Sequence, residues 1–240
     1  MNIDEVAGLN FEKHLHENAY PGRGLVLGKS TDDTWVMIYW IMGRSTNSRN
    51  RRFVVEAEVL RTEPVDASLV ADPSLIIYEA MLELPGIYLA SNGDQTRTMY
   101  ETLKSGGTIE DALGKREREP DAPNFTPRIS GMFSIQDSSV STVLSILKAN
   151  PIDPGLTDRF TYRPAIPQAG YAVGLTTYSG DGDPLPSFSG EPLLLPCRGR
   201  AHEILERYWN ALNVENRVSL AVKEISARDG TSKIHVINRF

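Results

Sequence analysis

The segment Trp35-Val36-Met37-Ile38-Tyr39-Trp40-Ile41 constrains the fold more than any other stretch of the chain. Successive side chains of a strand point to opposite faces. A strand that is apolar on both faces therefore needs cover on both, which places it in the middle of a buried sheet. Gly24–Lys29 reads as a preceding strand, with the turn Ser30-Thr31-Asp32-Asp33 between the two. Before Gly24 the chain reads as an irregular lead-in or a short helix.

Phe53–Arg61 is expected to resume as one strand, with Glu56 and Glu58 on one face and Val55, Ala57 and Val59 on the other. Leu75–Leu84 and Ile87–Ser91 read as a hairpin turning at Pro85-Gly86. Asp94–Ser105 carries Met99, Tyr100 and Leu103 at helical spacing and is closed by Gly106-Gly107. Thr108-Ile109-Glu110-Asp111 opens a second short helix with a variant capping box. Ile129–Gln136, Thr142–Lys148, Phe160–Arg163 and Tyr171–Tyr178 are further strands, although the spacing in Thr142–Lys148 also suits a helix. Tyr178–Pro196, rich in Gly, Pro, Ser and Asp, is expected to be a loop serving as a lid or boundary. Ala201–Leu212 is an amphipathic helix, and Val218–Ile225 and Lys233–Ile237 end the chain as strands. Many strands, few helices and no regular βαβ alternation predict an α+β fold of mostly antiparallel sheets, in a single domain over residues 1–240.

A formal net charge of -6 and a pI near 5.3 argue against nucleic acid or an anionic membrane as a general partner. Against that background, Gly43-Arg44-Ser45-Thr46-Asn47-Ser48-Arg49-Asn50-Arg51-Arg52-Phe53 places four arginines within nine residues. Guanidinium forks with interleaved hydroxyl and amide donors suit a phosphate, while the competing reading is a solvated basic loop. The phosphate sites with backbone signatures are missing, since neither G-x-x-x-x-G-K-[ST] nor G-x-G-x-x-G occurs. G-x-S-x-G is also absent.

The lone Cys197 rules out an internal disulfide, and a neighbouring cation would lower its pKa, although a single cysteine is more often incidental. His14 and His16 have no third ligand at a metal-site spacing, and Asp181-Gly182-Asp183 reads as a turn. No metal and no cofactor are expected. With no apolar leader and no membrane-length window, the expected location is the cytoplasm.

Three other groupings have the character of a site. Tyr20-Pro21-Gly22-Arg23-Gly24 sets an arginine just before a strand, and Ser91-Asn92-Gly93-Asp94 forms a strand-to-helix turn. The stretch from Glu117 to Ile129 holds three carboxylates and two arginines along a proline-stiffened connector.

Together these pieces resemble the archaeal-type IMP cyclohydrolase family and its bacterial relatives. Tyr20-Pro21-Gly22-Arg23 is similar to the family's opening glycine-arginine strand, and Arg44-Ser45 with Ser48-Arg49-Asn50-Arg51 to its R-S…N-R loop. Tyr78 corresponds to the tyrosine of A-Y-N, Ser91-Asn92-Gly93 to S-N-G, and Thr126-Pro127-Arg128-Ile129 to T-P-R-I. Two departures stand out: Glu79 replaces the asparagine after the tyrosine, and region 136–215 is longer and richer in proline.

The resemblance implies a four-layer αββα sandwich related to N-terminal-nucleophile hydrolases, without their self-processing. It also implies closure of 5-formamidoimidazole-4-carboxamide ribonucleotide to IMP with loss of water. On this basis Arg51, Tyr78 and Glu119 are expected to be catalytic, with Glu117 or Asp121 as alternatives to Glu119. Arg23, Arg44, Ser45, Asn50, Asn92, Gly93, Thr126 and Arg128 are expected to bind substrate, while Arg49 and Arg52 support the loop. The expected partner is a small purine nucleotide, and exposed sheet edges favour a homo-oligomer. The competing functions are a cyclohydrolase or amidohydrolase for a related phosphorylated heterocycle, and a purine-nucleotide-binding protein without turnover.

Overall fold

A computed structural model describes residues 1–70, 76–136, 139–165 and 168–240. Along the chain come α1 (Ile3–Phe11), β1 (Gly24–Lys29), β2 (Trp35–Met42), α2 (Thr46–Arg49), β3 (Arg52–Glu56) and β4 (Val59–Glu63). They are followed by β5 (Glu79–Leu84), β6 (Ile87–Ser91), α3 (Gln95–Lys104), α4 (Ile109–Gly114), β7 (Arg128–Gln136) and β8 (Ser139–Ala149). The remaining elements are β9 (Thr157–Tyr162), β10 (Gly170–Thr176), β11 (Leu193–Cys197), α5 (Ala201–Ala211), β12 (Arg217–Ile225) and β13 (Ser232–Asn238).

Two antiparallel sheets dominate this mixed α/β architecture. One has six strands in the order β11-β10-β1-β2-β12-β13, and the other has seven in the order β3-β4-β5-β6-β7-β8-β9. β2 occupies the interior of the first, with β1 and β12 as neighbours. Its two apolar faces have separate partners. Trp35 and Tyr39 meet Phe133 and Phe53 of the second sheet, whereas Trp40 meets Tyr208 of α5. The sheets touch where β1 packs on β7 and β2 on β6, and one buried core runs through both. α1 packs on β11 and α5 on β12 and β13, while α3 packs on β5 and β6. A smaller core of Leu89, Met99, Ile109, Ala112, Leu113, Met132 and Val143 joins α3 and α4 to the second sheet. Among the described residues no helix is long and apolar enough to cross a membrane.

Local signals account for the helix ends. Thr108 and Asp111 exchange backbone and side-chain hydrogen bonds at the start of α4. Asn2 and Glu5 do the same for α1, which continues as a π-helical turn over Glu12–His16. The lead-in is therefore helical.

Several sequence expectations need correction. Phe53–Arg61 is not one strand: β3 and β4 form a hairpin around Ala57-Glu58, with Glu56 opposite Val59. The second expected hairpin turns at Pro85-Gly86, but its first strand starts at Glu79, and Leu75 lies outside the described residues. Thr142–Lys148 belongs to strand β8. The expected loop Tyr178–Pro196 ends in β11, whose Leu193, Leu195 and Cys197 are buried. Burial pushes the Cys197 thiol up to about 12, against the pull of Arg207, so it is not an activated nucleophile.

Candidate active site

The arginine-rich loop leaves β2 and turns through α2, where the Ser45 and Ser48 hydroxyls cap each other's backbone N–H groups. These two serines line a cleft of about 380 Å³ with Tyr20, Arg23, Arg44, Arg51, Asp121, Asn124, Thr126, Tyr178 and Leu185. That volume falls in the range of small-molecule sites. The loop's cations have separate tasks. Arg51 is 2% exposed, and its guanidinium donates to the Ser48 and Met42 carbonyls. Arg44 stacks on the Tyr20 ring and reaches Asp181 and the Gly182 carbonyl. Arg49 holds Gly43 and Asn216, and Arg52 faces Glu63 across the hairpin.

Arg23 comes from the turn just before β1, Tyr39 from β2, Tyr78 from the residue preceding β5, and Glu119 from the connector before β7. Arg23 and Glu119 face each other at 4.0 Å, with side chains 11% and 5% exposed. Burial acts to lower the Arg23 pKa, but the Glu119 carboxylate together with the Tyr178, Tyr78 and Tyr20 hydroxyls outweighs it, and the guanidinium stays above its ordinary value. Burial also raises the Glu119 pKa above the usual carboxylate range, against the pull of Arg23 and Arg128. Arg51 is held below the ordinary arginine value by burial and by repulsion from Arg23.

The Tyr78 hydroxyl lies 2.7 Å from that of Tyr39. Burial raises both pKa values, despite the opposing charges of Arg51 and Arg23, so both phenols carry their protons at neutral pH. Arg23 Nε is buried with no hydrogen-bond partner, a donor left unsatisfied beside the cleft.

The connector is fixed by its own polar side chains. Thr126 accepts the Glu119 N–H at its carbonyl, and its own N–H donates to Asp121 at 2.6 Å. The Thr126 hydroxyl donates to the Asp121 carboxylate and lies 2.6 Å from the Tyr178 hydroxyl. Leu185 and Tyr178 bring the 178–190 loop into the cleft wall, and the Leu185 N–H donates to Asn124 Oδ1 at 3.0 Å.

Of the expected site residues, Arg23, Arg44, Ser45, Arg51 and Thr126 line one cleft. Charge coupling connects Tyr78 and Glu119 to Arg23 and Arg51. Asn50, Asn92, Gly93 and Arg128 are placed differently. Both ends of the Asn50 amide are spent on the backbone of Asp66. Asn92 donates to the Pro127 carbonyl and accepts the Ile129 N–H, which clamps the S-N-G turn to the T-P-R-I segment. A Cβ at Gly93 would collide with Arg128 and Gln95, so this glycine makes room for the arginine. Arg128 donates to Asp94 at 3.0 Å and to Gln95 at 2.8 Å.

Glu117 pairs with Arg159. Glu79, at the family's asparagine position, pairs with Arg97 of α3, an outward contact separate from the Tyr78 hydroxyl. Tyr39 and Tyr178 reach the site through the fold, with no sequence motif of their own to mark them. Tyr39 is hidden inside an apolar run, although its alternation with Trp35 on one face was readable. Among the described residues no group of His, Cys, Asp and Glu side chains forms a metal-binding cluster.

No curated protein matches the chain significantly. The family described as IMP cyclohydrolase-like protein matches it over residues 20–230, and the chain belongs to that family.

Proposed function

We propose that the protein is an IMP cyclohydrolase of purine biosynthesis, closing 5-formamidoimidazole-4-carboxamide ribonucleotide to IMP with loss of water. The observation that carries this reading is the convergence of Arg23, Arg51, Tyr78 and Glu119 in one buried polar cluster beside a cationic cleft. The packing of helices on each of two stacked sheets supports a four-layer αββα sandwich of the N-terminal-nucleophile hydrolase type.

In this reaction the carboxamide nitrogen attacks the formyl carbon, and the formyl oxygen leaves as water. One proton leaves the carboxamide nitrogen, another leaves the formamido nitrogen, and both depart on that oxygen. Ring closure is intramolecular, so holding the two arms together supplies much of the acceleration. Glu119, buried against Arg23, is the group to take the attacking nitrogen's proton. Tyr78, protonated and backed by Tyr39, donates to the formyl oxygen. Arg51 and Arg23 stabilise charge developing on that oxygen. Arg44, Ser45 and Ser48 at the open side of the cleft receive the ribose phosphate.

The test is an absorbance assay of IMP formation by wild type, Arg51→Ala and Tyr78→Phe. Loss of a preorganised donor costs on the order of 100-fold or more in kcat. Arg51→Ala is expected to lose kcat/KM on that scale, and Tyr78→Phe to lower kcat with little change in KM. Full kcat/KM in Arg51→Ala would remove the role assigned to it. IMP binding without turnover by wild type would favour a nucleotide-binding protein.

A further inference from the structure

We propose that Tyr178, Thr126 and Asp121 form a second proton path into the cleft, in which Tyr178 touches the substrate and takes the formamido nitrogen's proton. The proposal rests on the cyclohydrolase reading and adds a catalytic residue to it. All three residues line the cleft, so the path begins and ends on the same cavity. The Thr126 hydroxyl has one proton, and it is donated to the Asp121 carboxylate. At 2.6 Å the Tyr178 hydroxyl must then be the donor to Thr126 Oγ1. With its own proton turned towards Thr126, the Tyr178 oxygen has lone pairs free to accept a proton from the cleft.

The chemistry requires such a group. Formation of the C–N bond puts the carboxamide nitrogen's proton on Glu119 and the Tyr78 proton on the former formyl oxygen, which becomes a hydroxyl on a tetrahedral carbon. Glu119 and Tyr78 serve that step. When the C–O bond then breaks and the C=N bond forms, the hydroxyl takes a second proton from Glu119 and leaves as water, while Tyr78 stays ionised beside Arg51 and Arg23 until the proton from Asp121 restores it. At the same moment the formamido nitrogen gives up its proton. Tyr178 accepts it while passing its own proton to Thr126, and Thr126 passes its proton to Asp121. Asp121 returns that proton to the acid side through cleft water before the next turnover, so the protein is unchanged over the cycle. Tyr178 is the catalytic residue of this set, and Thr126 and Asp121 are positioning and relay residues. Glu119 cannot serve both nitrogens at once, because it is the group delivering a proton while the second nitrogen is losing one.

Steady-state kinetics of IMP formation and the Kd for IMP, measured on wild type, Tyr178→Phe, Thr126→Val and Thr126→Ser, test the path. Tyr178→Phe and Thr126→Val are expected to lose at least tenfold in kcat while KM and the Kd for IMP stay within threefold of wild type. Thr126→Ser, which keeps the hydroxyl, is expected to recover most of the loss. Active wild type with Tyr178→Phe within twofold of its kcat would overturn the path alone. Equal losses in Thr126→Ser and Thr126→Val would also overturn it, since a purely structural role ignores the hydroxyl. Wild type with no IMP formation would overturn the cyclohydrolase reading and the path together.

Discussion

Glu119 illustrates how single residues in this site take their chemistry from their surroundings. Its side chain is almost wholly buried and faces Arg23 at 4.0 Å. A carboxyl with a raised pKa is less ionised at a given acidic pH than a free one, and a general base must be ionised to act. The acid limb of the kcat/KM profile is therefore expected above the ordinary glutamate value of about 4.3. In a titration of kcat/KM from acid to neutral pH, Glu119→Gln is expected to lose that limb along with most of the activity. A limb at or below the free-carboxyl value would contradict Glu119 as the base. The sequence offered Arg23, Arg51, Tyr78 and Glu119 as candidates, and the fold brings them together, but sequence alone could not assign amides. The Asn50 and Asn92 side chains pair with backbone groups as readily as with a purine edge, because an amide offers the same donor and acceptor to both.

At the scale of elements, strong periodicity was legible and weak turns were not. The double-faced β2, the Thr108 capping box and the buried stripe of α5 follow their sequence patterns. The β3–β4 turn was hidden because Ala57-Glu58 has no turn-forming residue. Ala57 nevertheless takes a φ of 52°, in the left-handed region where a Cβ is costly. Ala57→Gly is expected to stabilise the fold by about 1 kcal/mol, seen as a higher denaturant midpoint at unchanged slope. A lower midpoint would mean that the Ala57 methyl has contacts worth more than the relief. β11 escaped detection for a different reason: Leu193–Cys197 follows a Gly/Pro/Ser-rich stretch and contains Pro196, yet Leu193, Leu195 and Cys197 alternate inward on the edge of the first sheet.

At the scale of the molecule, the site is assembled from both sheets, so the contact between them and the layers around them set its geometry. Arg23, Tyr39 and Tyr178 come from the first sheet or its margins, and Tyr78, Glu119 and Thr126 come from the second sheet's side. No sequence pattern reports that meeting, because the groups lie far apart along the chain. Gly24, next to Arg23, shows how tightly the layers fit. Its strand partner is Trp40, and a Cβ there would fall inside the indole ring, which packs on Tyr208 of α5. Gly24→Ala is expected to cost about 1–3 kcal/mol through overpacking, measured by chemical denaturation. A neutral result would show that the indole can move aside freely.

The central claim is that this arrangement closes a purine ring, and the most direct measurement is the rate of IMP formation from the formamido ribonucleotide by purified wild-type protein. The account predicts saturable turnover well above the spontaneous rate. A rate no higher than that of the substrate alone in buffer would contradict it.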